Sequence, residues 1–303
     1  MTGSEHRVPF EALARRIAPG SKLLRTWELK GGVSADITAF EIEHGPGRTE
    51  RLIVRRHGAR DLSRNPQLAV DEFRLLELLS SAGLPVPTPR YLDAKAEIFP
   101  TPCLVVDYIE GEPPSAGVDG TELVSQLASV LTEIHRVDCS IADLSFLPRR
   151  ELAEPALRRR PKTASERRIR DVLDSALPRP QRNRFVLQHG DFWPGNTLWR
   201  DGRLVAVIDW EDAVIGDPLA DVANARLELL WALGIEAMDE FTRRYESMVT
   251  STDFTDLAYW DLWSSLRFGA HMAQWGLDDE TELAMRAAHE SFVAQALEKL
   301  SAR

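Results

Sequence analysis

The chain has 303 residues, enough for two lobes and a sizeable core, and its 44% hydrophobic and 28% charged residues are those of an ordinary globular protein. A formal net charge of −10 argues against nucleic acid as a partner, and no apolar run is long enough to span a membrane. Residues 1–7 lack an apolar segment of signal-peptide type, and the two cysteines, Cys103 and Cys139, sit near apolar residues as reduced thiols would, so a cytoplasmic location is expected.

In chain order, residues 8–18 have the spacing of a short amphipathic helix. Three strand-like runs follow, Leu23–Leu29, Ile37–Glu43 and Arg51–Arg56, separated by Gly-containing turns. Leu68–Ala82 carries apolar residues at helical spacing; Gly83 ends it, and Pro85-Val86-Pro87 prevents it from resuming. Tyr91-Leu92 and Cys103–Tyr108 are further strands. These elements describe a small antiparallel sheet with one inserted helix. After Gly111-Glu112-Pro113-Pro114 the character changes. Leu123–Val137 is an amphipathic helix, and Arg149–Arg184 is rich in Pro and Arg, with a helical piece near Ile169–Leu173. Phe185–Leu187, Asn196–Trp199 and Leu204–Ile208 are short strands, and from Leu219 the chain reads as helices. The expected division is a lobe over 1–108 and a second over 109–303.

The chemistry concentrates in Gln188-His189-Gly190-Asp191-Phe192-Trp193-Pro194-Gly195-Asn196 and Val207-Ile208-Asp209-Trp210-Glu211. A carboxylate that orients an attacking hydroxyl, then an amide and a second carboxylate that hold a metal, is what phosphoryl transfer needs in this order. Two other readings remain open from these residues alone. His-Gly-Asp and Pro-Gly are ordinary turn sequences, with Asp209 a helix cap, and His189, Asp191 and Asp209 are also plausible ligands of a hydrolytic metal centre.

Upstream parts point the same way. Gly31-Gly32-Val33-Ser34 lies between two strands, where Gly32 would let the backbone approach phosphates and Ser34 would donate to one; a plain hairpin fits the same residues. Alternation in Leu52-Ile53-Val54-Arg55-Arg56 puts Ile53 and Arg55 on one face and Leu52, Val54 and Arg56 on the other. An arginine facing the nucleotide would clamp phosphate oxygens, with Glu72 as its partner and Glu77 as the competitor; both arginines as solvated edge residues is the plain alternative. Past the strand at Leu104–Tyr108, the Asp107 carbonyl and the Ile109 amide suit an adenine edge, with Ile53 and Val106 against the ring. A buried strand with an exit loop satisfies the same residues.

With these parts in order, the chain resembles the aminoglycoside phosphotransferase (phosphotransferase enzyme) family from about Glu28 to Trp231. The likeness is sharpest over His189–Ala223, where His-Gly-Asp-x-x-x-x-Asn, Ile-Asp-Trp-Glu-Asp-Ala and Gly-Asp-Pro-Leu-Ala-Asp occur together. The resemblance implies an α+β, protein-kinase-like fold: a small N-terminal antiparallel sheet lobe with one helix, and a larger, mainly helical C-terminal lobe. It implies a kinase that moves the γ-phosphoryl of ATP, with GTP the alternative nucleotide, to a hydroxyl of a small acceptor such as an aminoglycoside-like antibiotic or a metabolite alcohol. It implies Asp191 as catalytic base and Asn196 and Asp209 as Mg²⁺ ligands. Arg55 stands where many relatives have a phosphate-clamping Lys, with Glu72 as its mate. Asp221 corresponds to a brace of the catalytic loop, and His135 to a satisfied core histidine.

The resemblance implies that two variable regions hold the acceptor, the insert around Arg149–Arg184 and the C-terminal helical part with Tyr259, Trp260, Trp263, Phe268, His271 and Trp275. Trp260, Trp263 and Trp275, with Tyr259 and His271, recur at nearly helical spacing and would wall an apolar or sugar-stacking pocket; the same stripe also suits a core. Glu211, Asp212 and Asp217 would attract a cationic acceptor, although Asp217 before Pro218 also suits a helix cap. The basic run from Arg158 to Arg170 reads as a solvated face. The rival from another class is a nucleotide-binding pseudokinase acting as a regulatory or scaffold module, favoured by the Arg in place of Lys and by a loop with only two glycines.

Overall fold

A computed structural model describes residues 7–29, 35–114, 120–140, 142–151, 160–161, 163–177, 179–269 and 276–301. The chain divides into two compact units, Met1–Gly111 with Val205–Glu211, and Glu112–Leu204 with Asp212–Arg303. The expected division kept the chain in two runs; here the segment that carries Asp209 groups with the first unit.

The first unit is built on a five-stranded sheet of order β1-β2-β3-β5-β4: β1 Lys22–Glu28, β2 Ala35–Gly45, β3 Arg48–His57, β4 Pro89–Asp93 and β5 Cys103–Asp107, with every neighbouring pair antiparallel. Helix α1, Arg7–Ile17, lays Phe10, Leu13 and Ala14 on one face of this sheet, against Phe40, Ile42, Leu52, Val54 and Val105. Fully burying side chains of this size stabilises by about 1.5–3 kcal/mol each. Because side chains alternate along a strand, committing Leu52 and Val54 to that core turns Ile53, Arg55 and His57 to the other face. Between β3 and β4 run two helices, the short α2, Ala59–Arg64, and α3, Leu68–Ser81, where one was expected. Leu68, Glu72, Leu75, Leu76 and Leu79 form the buried stripe of α3. The helix stops at Ser81, one residue short of the sequence expectation, and Gly83 takes a φ of 80° that a side chain would disfavour.

The second unit is mainly helical. Its helices are α4 Gly120–His135, α5 Ala164–Ser175, α6 Leu219–Leu233, α7 Ile235–Met248, α8 Leu257–Gly269 and α9 Asp279–Ser301. Helix α5 is longer than its five-residue apolar signal because Thr163 caps it, its hydroxyl accepting from the Glu166 amide at 3.0 Å. Among the basic residues noted there, Arg167, Arg168 and Arg170 lie on α5, whereas Arg158, Arg159 and Lys162 fall outside the described residues. Strands β6 Val186–Gln188 and β9 Val214–Gly216 pair antiparallel, and β7 Thr197–Arg200 and β8 Arg203–Val207 are joined by a turn at Asp201-Gly202.

The aromatic stripe of α8 is core. Tyr259 and Trp260 are fully buried and Trp263 is 4% exposed, packed with Leu219, Ala223, Ile169, Leu173, Val293 and Leu297. Of the two readings of this spacing, Trp260 and Trp263 take the core and not the pocket wall, because α8 is packed between α5, α6 and α9. Trp275 and His271 fall outside the described residues. Trp260→Ala is expected to destabilise the protein by about 3–5 kcal/mol in denaturant titration. Since the Trp260 Nε1 has no hydrogen-bond partner among the described residues, Trp260→Phe is expected to cost clearly less.

Candidate functional site

In the first unit, strand alternation and the α3 stripe bring a cation against three carboxylates. Arg55, 8% exposed, places Nε 3.4 Å from Glu72 Oε2, an ion pair without an aligned hydrogen bond. Its Nη2 donates to Asp209 Oδ1 and, at 2.7 Å, to Glu211 Oε2. Arg56 points to the other face, where it pairs with Asp36 at 3.3 Å and lies over the Phe99 ring, and Glu77 is exposed. Asp209 adopts a left-handed backbone, φ 68°, which apart from Gly is tolerated best by Asn and Asp. The segment around it is tied to this unit by the Val207 amide donating to the Pro85 carbonyl at 2.7 Å.

His57, two residues beyond Arg55 on the same face of β3, is a site residue that the sequence reading missed; its parity with Arg55 was the available signal. It is buried, with Nε2 2.9 Å from Glu72 Oε2 and Nδ1 3.4 Å from Glu211 Oε2. Glu72 and Glu211 are thus each shared between Arg55 and His57. Burial alone would lower the His57 pKa, but its contacts with Glu211 and Glu72 overcome this and raise it to about 9. Burial likewise opposes the Arg55 charge, and the charges of Glu72, Asp209 and Glu211 reverse that and raise its pKa. Glu72 is pushed up by burial and pulled further down by Arg55 and His57, ending below its ordinary value, whereas burial raises Asp209 despite Arg55. With His57 protonated, the cluster sets two cations against three carboxylates.

In the second unit, Asp221 on α6 organises the backbone that leads into Asp191. Its Oδ2 accepts from the His189 amide at 2.7 Å and its Oδ1 from the Gly190 amide at 3.0 Å. His135 lies 3.4 Å from Asp221 Oδ2 and 2.6 Å from the Tyr245 hydroxyl, so it is a bonded core histidine. Burial would raise the Asp221 pKa, but the His135 contact outweighs it and the carboxyl stays below its ordinary range. Gly190 has a φ of 84°, and a Cβ there would collide with the Asp212 carbonyl, so only glycine fits. Asn196 donates its Nδ2 to the Asp191 carbonyl at 2.9 Å and to Asp191 Oδ2 at 3.2 Å, which brings the predicted base and the predicted amide ligand together. Asp217, beside Pro218, accepts from the Leu219 amide at 3.0 Å and from Asn183, so it serves the start of α6.

Three further residues converge on Asp191. Arg267 of α8 donates to the Gly190 carbonyl and to Asp212 Oδ2 at 2.8 Å, and its Nη2 is 3.4 Å from Asp191 Oδ1. Asn224 donates to the Phe192 carbonyl at 3.1 Å. Glu228, one turn beyond Asn224 on α6, is raised to about 8 by burial and then by the Asp191 charge, with Arg267 opposing. Asn224 and Glu228 follow Asp221 at helical spacing, which the sequence did offer; Arg267 carries no local signal.

Of the remaining expected residues, Ile53 and Asp107 are half-buried on the sheet, and Gly32 and Ser34 fall outside the described residues. The Asp107 and Tyr108 amides donate to the carbonyls of Thr88 and Arg51, whereas the Ile109 amide makes no hydrogen bond among the described residues. No described helix is long and apolar enough to cross a membrane.

The folded-state pKa of His57, about 9, lies above its ordinary 6.5. Its stabilising contribution is therefore complete below pH 6.5 and is lost as the pH rises through 9. The melting-temperature advantage of the wild type over His57→Gln, followed by circular dichroism, is expected to shrink across that interval.

A model of the phosphotransferase enzyme family matches residues 28–268. Acyl-CoA dehydrogenase family member 10 of Mus musculus is 28% identical over 230 residues, which cover 64% of this chain and 21% of that protein. The chain spans less than a quarter of the length of the curated relatives it matches first. Among solved structures, the GDP complex of aminoglycoside 2'-phosphotransferase-IIIa superposes with a TM-score of 0.65 at 17% identity, covering 99% of this chain and 98% of that one. Choline kinase of Streptococcus pneumoniae gives 0.63 at 19%, covering 99% and 100%. The fold is α+β and protein-kinase-like. The chain belongs to the phosphotransferase enzyme family.

Proposed function

We propose that the chain transfers the γ-phosphoryl group of ATP, or of GTP, to a hydroxyl of a small molecule, with Mg²⁺ as the cofactor. The observation that carries this reading is the Asp191–Asn196 pair: Asn196 holds Asp191 through its Nδ2 and keeps its amide oxygen as a hard donor. Asp191 then orients the acceptor hydroxyl and takes up its proton. Asn196 and Asp209 are the metal ligands. Among the described residues no group of three or more His, Cys, Asp or Glu forms a ready-made cage. Mg²⁺ needs none, because it is held by one or two carboxylates together with substrate phosphates and water. The excess of one negative charge in the Arg55 cluster also suits a cation. When bound, the metal supplies charge neutralisation on the phosphates.

Arg55 serves as the phosphate clamp, held by Glu72 and steadied through His57. Gly32 and Ser34 serve the phosphates, and the Ile109 amide, the Asp107 carbonyl, Ile53 and Val106 receive the base. Arg267 is a positioning residue for Asp191, since it grips the carbonyl of the preceding residue. Catalysis is then mostly positioning and electrostatics. With Trp260 and Trp263 in the core, the acceptor's surroundings are polar: Asp212, Glu228 and Arg267. The acceptor panel follows from the relatives' names, and should hold an aminoglycoside, choline and a hydroxylated acyl thioester. Intact Asp191, Asn196 and Asp209 count against the pseudokinase alternative.

Asp191→Ala is expected to lower turnover by about 10²-fold or more while leaving Mg²⁺-dependent nucleotide affinity nearly unchanged. Asp209→Ala is expected to weaken that affinity in titration calorimetry. Equal affinity for wild type and Asp209→Ala in the presence of Mg²⁺ would contradict the metal role.

A further inference from the structure

A cavity of about 530 Å³ lies in the second unit, among the C-terminal ends of α4 and α7, residues 183–186 and Pro218. Small-molecule sites typically measure about 300–1,000 Å³, with mostly apolar walls and a few placed polar groups. Here Phe185, Val186 and Met248 supply the apolar wall, and Arg136 and Arg184 supply two guanidinium groups. The one carboxylate of the lining, Asp138, is already occupied: its Oδ1 accepts from the Ser140 amide, the Ser140 hydroxyl and Arg184. Arg184 makes that one bond through Nη2, and Arg136 donates its own Nη2 to the Met248 carbonyl at 2.9 Å, so each guanidinium keeps further N–H donors; two guanidiniums against one carboxylate leave the lining net positive beside its apolar wall.

Its polar floor is buried and leads to the catalytic loop. Asp221 only accepts hydrogen bonds, so in the neutral ring of His135 the proton sits on Nε2 and Nδ1 accepts from Tyr245. Asp221 in turn holds the amides of His189 and Gly190. A ligand touching Tyr245 and His135 would thus sit at the far end of a hydrogen-bonded chain that ends on the backbone immediately before Asp191.

We propose that this cavity is an effector site for a small organic anion, an aryl or alkyl carboxylate or phosphate ester, whose binding is coupled to the His189-Gly190 backbone through Tyr245, His135 and Asp221. A single guanidinium fork matches the two-oxygen edge of either anion, and the lining offers two. The site itself does not depend on which phosphoryl acceptor the enzyme uses; only its regulatory meaning rests on Asp191 being the catalytic base.

The test uses 4-phenylbutyrate and phenyl phosphate as probes and neutral 4-phenylbutanol as control, on the whole chain without nucleotide. Calorimetry is expected to show saturable binding of at least one anion, weakened about tenfold or more by Arg136→Gln with Arg184→Gln and abolished by Met248→Trp, which fills the cavity. Which probe binds more tightly separates a carboxylate from a phosphate ligand. Amide hydrogen exchange at His189 and Gly190 is expected to change on binding in the wild type and less in Tyr245→Phe. No saturable binding of either anion, equal binding of the neutral control, or binding insensitive to both the rim and the filling variants would overturn the site. Binding with unchanged exchange at both amides would overturn the coupling.

Discussion

A guanidinium buried under a β-sheet is the constraint on which the first unit depends. Arg55 has left water, and only carboxylates can keep its charge there. Each comes from a different stretch of chain: Glu72 from α3, and Asp209 and Glu211 from the segment after β8. Breaking one partner from a buried ion pair costs about 3–5 kcal/mol. The ion cluster therefore fixes where α3 and residues 205–211 sit within the unit. It also explains why His57 is needed: with Arg55 alone, three carboxylates would share one cation, and Glu72 and Glu211 would repel each other with little relief. The same arrangement that holds the segment also holds Asp209 in a backbone conformation that few side chains adopt.

The second unit solves a comparable problem with a buried anion. Asp221 sits in the first turn of α6, where backbone amides of the helix favour a carboxylate, and it spends its oxygens on two amides of the approach to Asp191 and on His135. Asn224 continues the job one turn later and Glu228 arrives a turn after that. One helix face thus sets the loop's backbone, and Arg267 sets it from α8. Positioning of this kind suits phosphoryl transfer, in which the protein contributes little covalent chemistry.

Sequence periodicity was a good guide where one local rule decided the outcome. Strand alternation separated Arg55 from Arg56, because Leu52 and Val54 had to face the core with α1. Glu72, not Glu77, reaches Arg55 because it shares a buried stripe with Leu68, Leu75 and Leu79. Periodicity left two readings open where two environments share a period: the α8 tryptophans have the spacing of a pocket wall and of a core, and only the neighbours α5, α6 and α9 decide for the core. It was silent where the partner is distant in sequence. Arg267 lies 77 residues from Gly190 and Arg55 lies 154 from Asp209, and no window of the sequence contains either pair. His57 and Glu228 had the right parity and spacing, but their burial and charged surroundings come from tertiary structure alone.

In the proposed function, Asp191 prepares a small-molecule hydroxyl for phosphoryl transfer. Its most direct test is transfer of the labelled γ-phosphoryl of ATP, with Mg²⁺, to a panel of an aminoglycoside, choline and a hydroxylated acyl thioester, with wild type and Asp191→Asn compared side by side. Labelled phosphoester formed by the wild type on at least one acceptor, and abolished in Asp191→Asn, is the predicted result. Phosphoester formed equally by both proteins, or no transfer by a wild type shown to bind nucleotide, would contradict it.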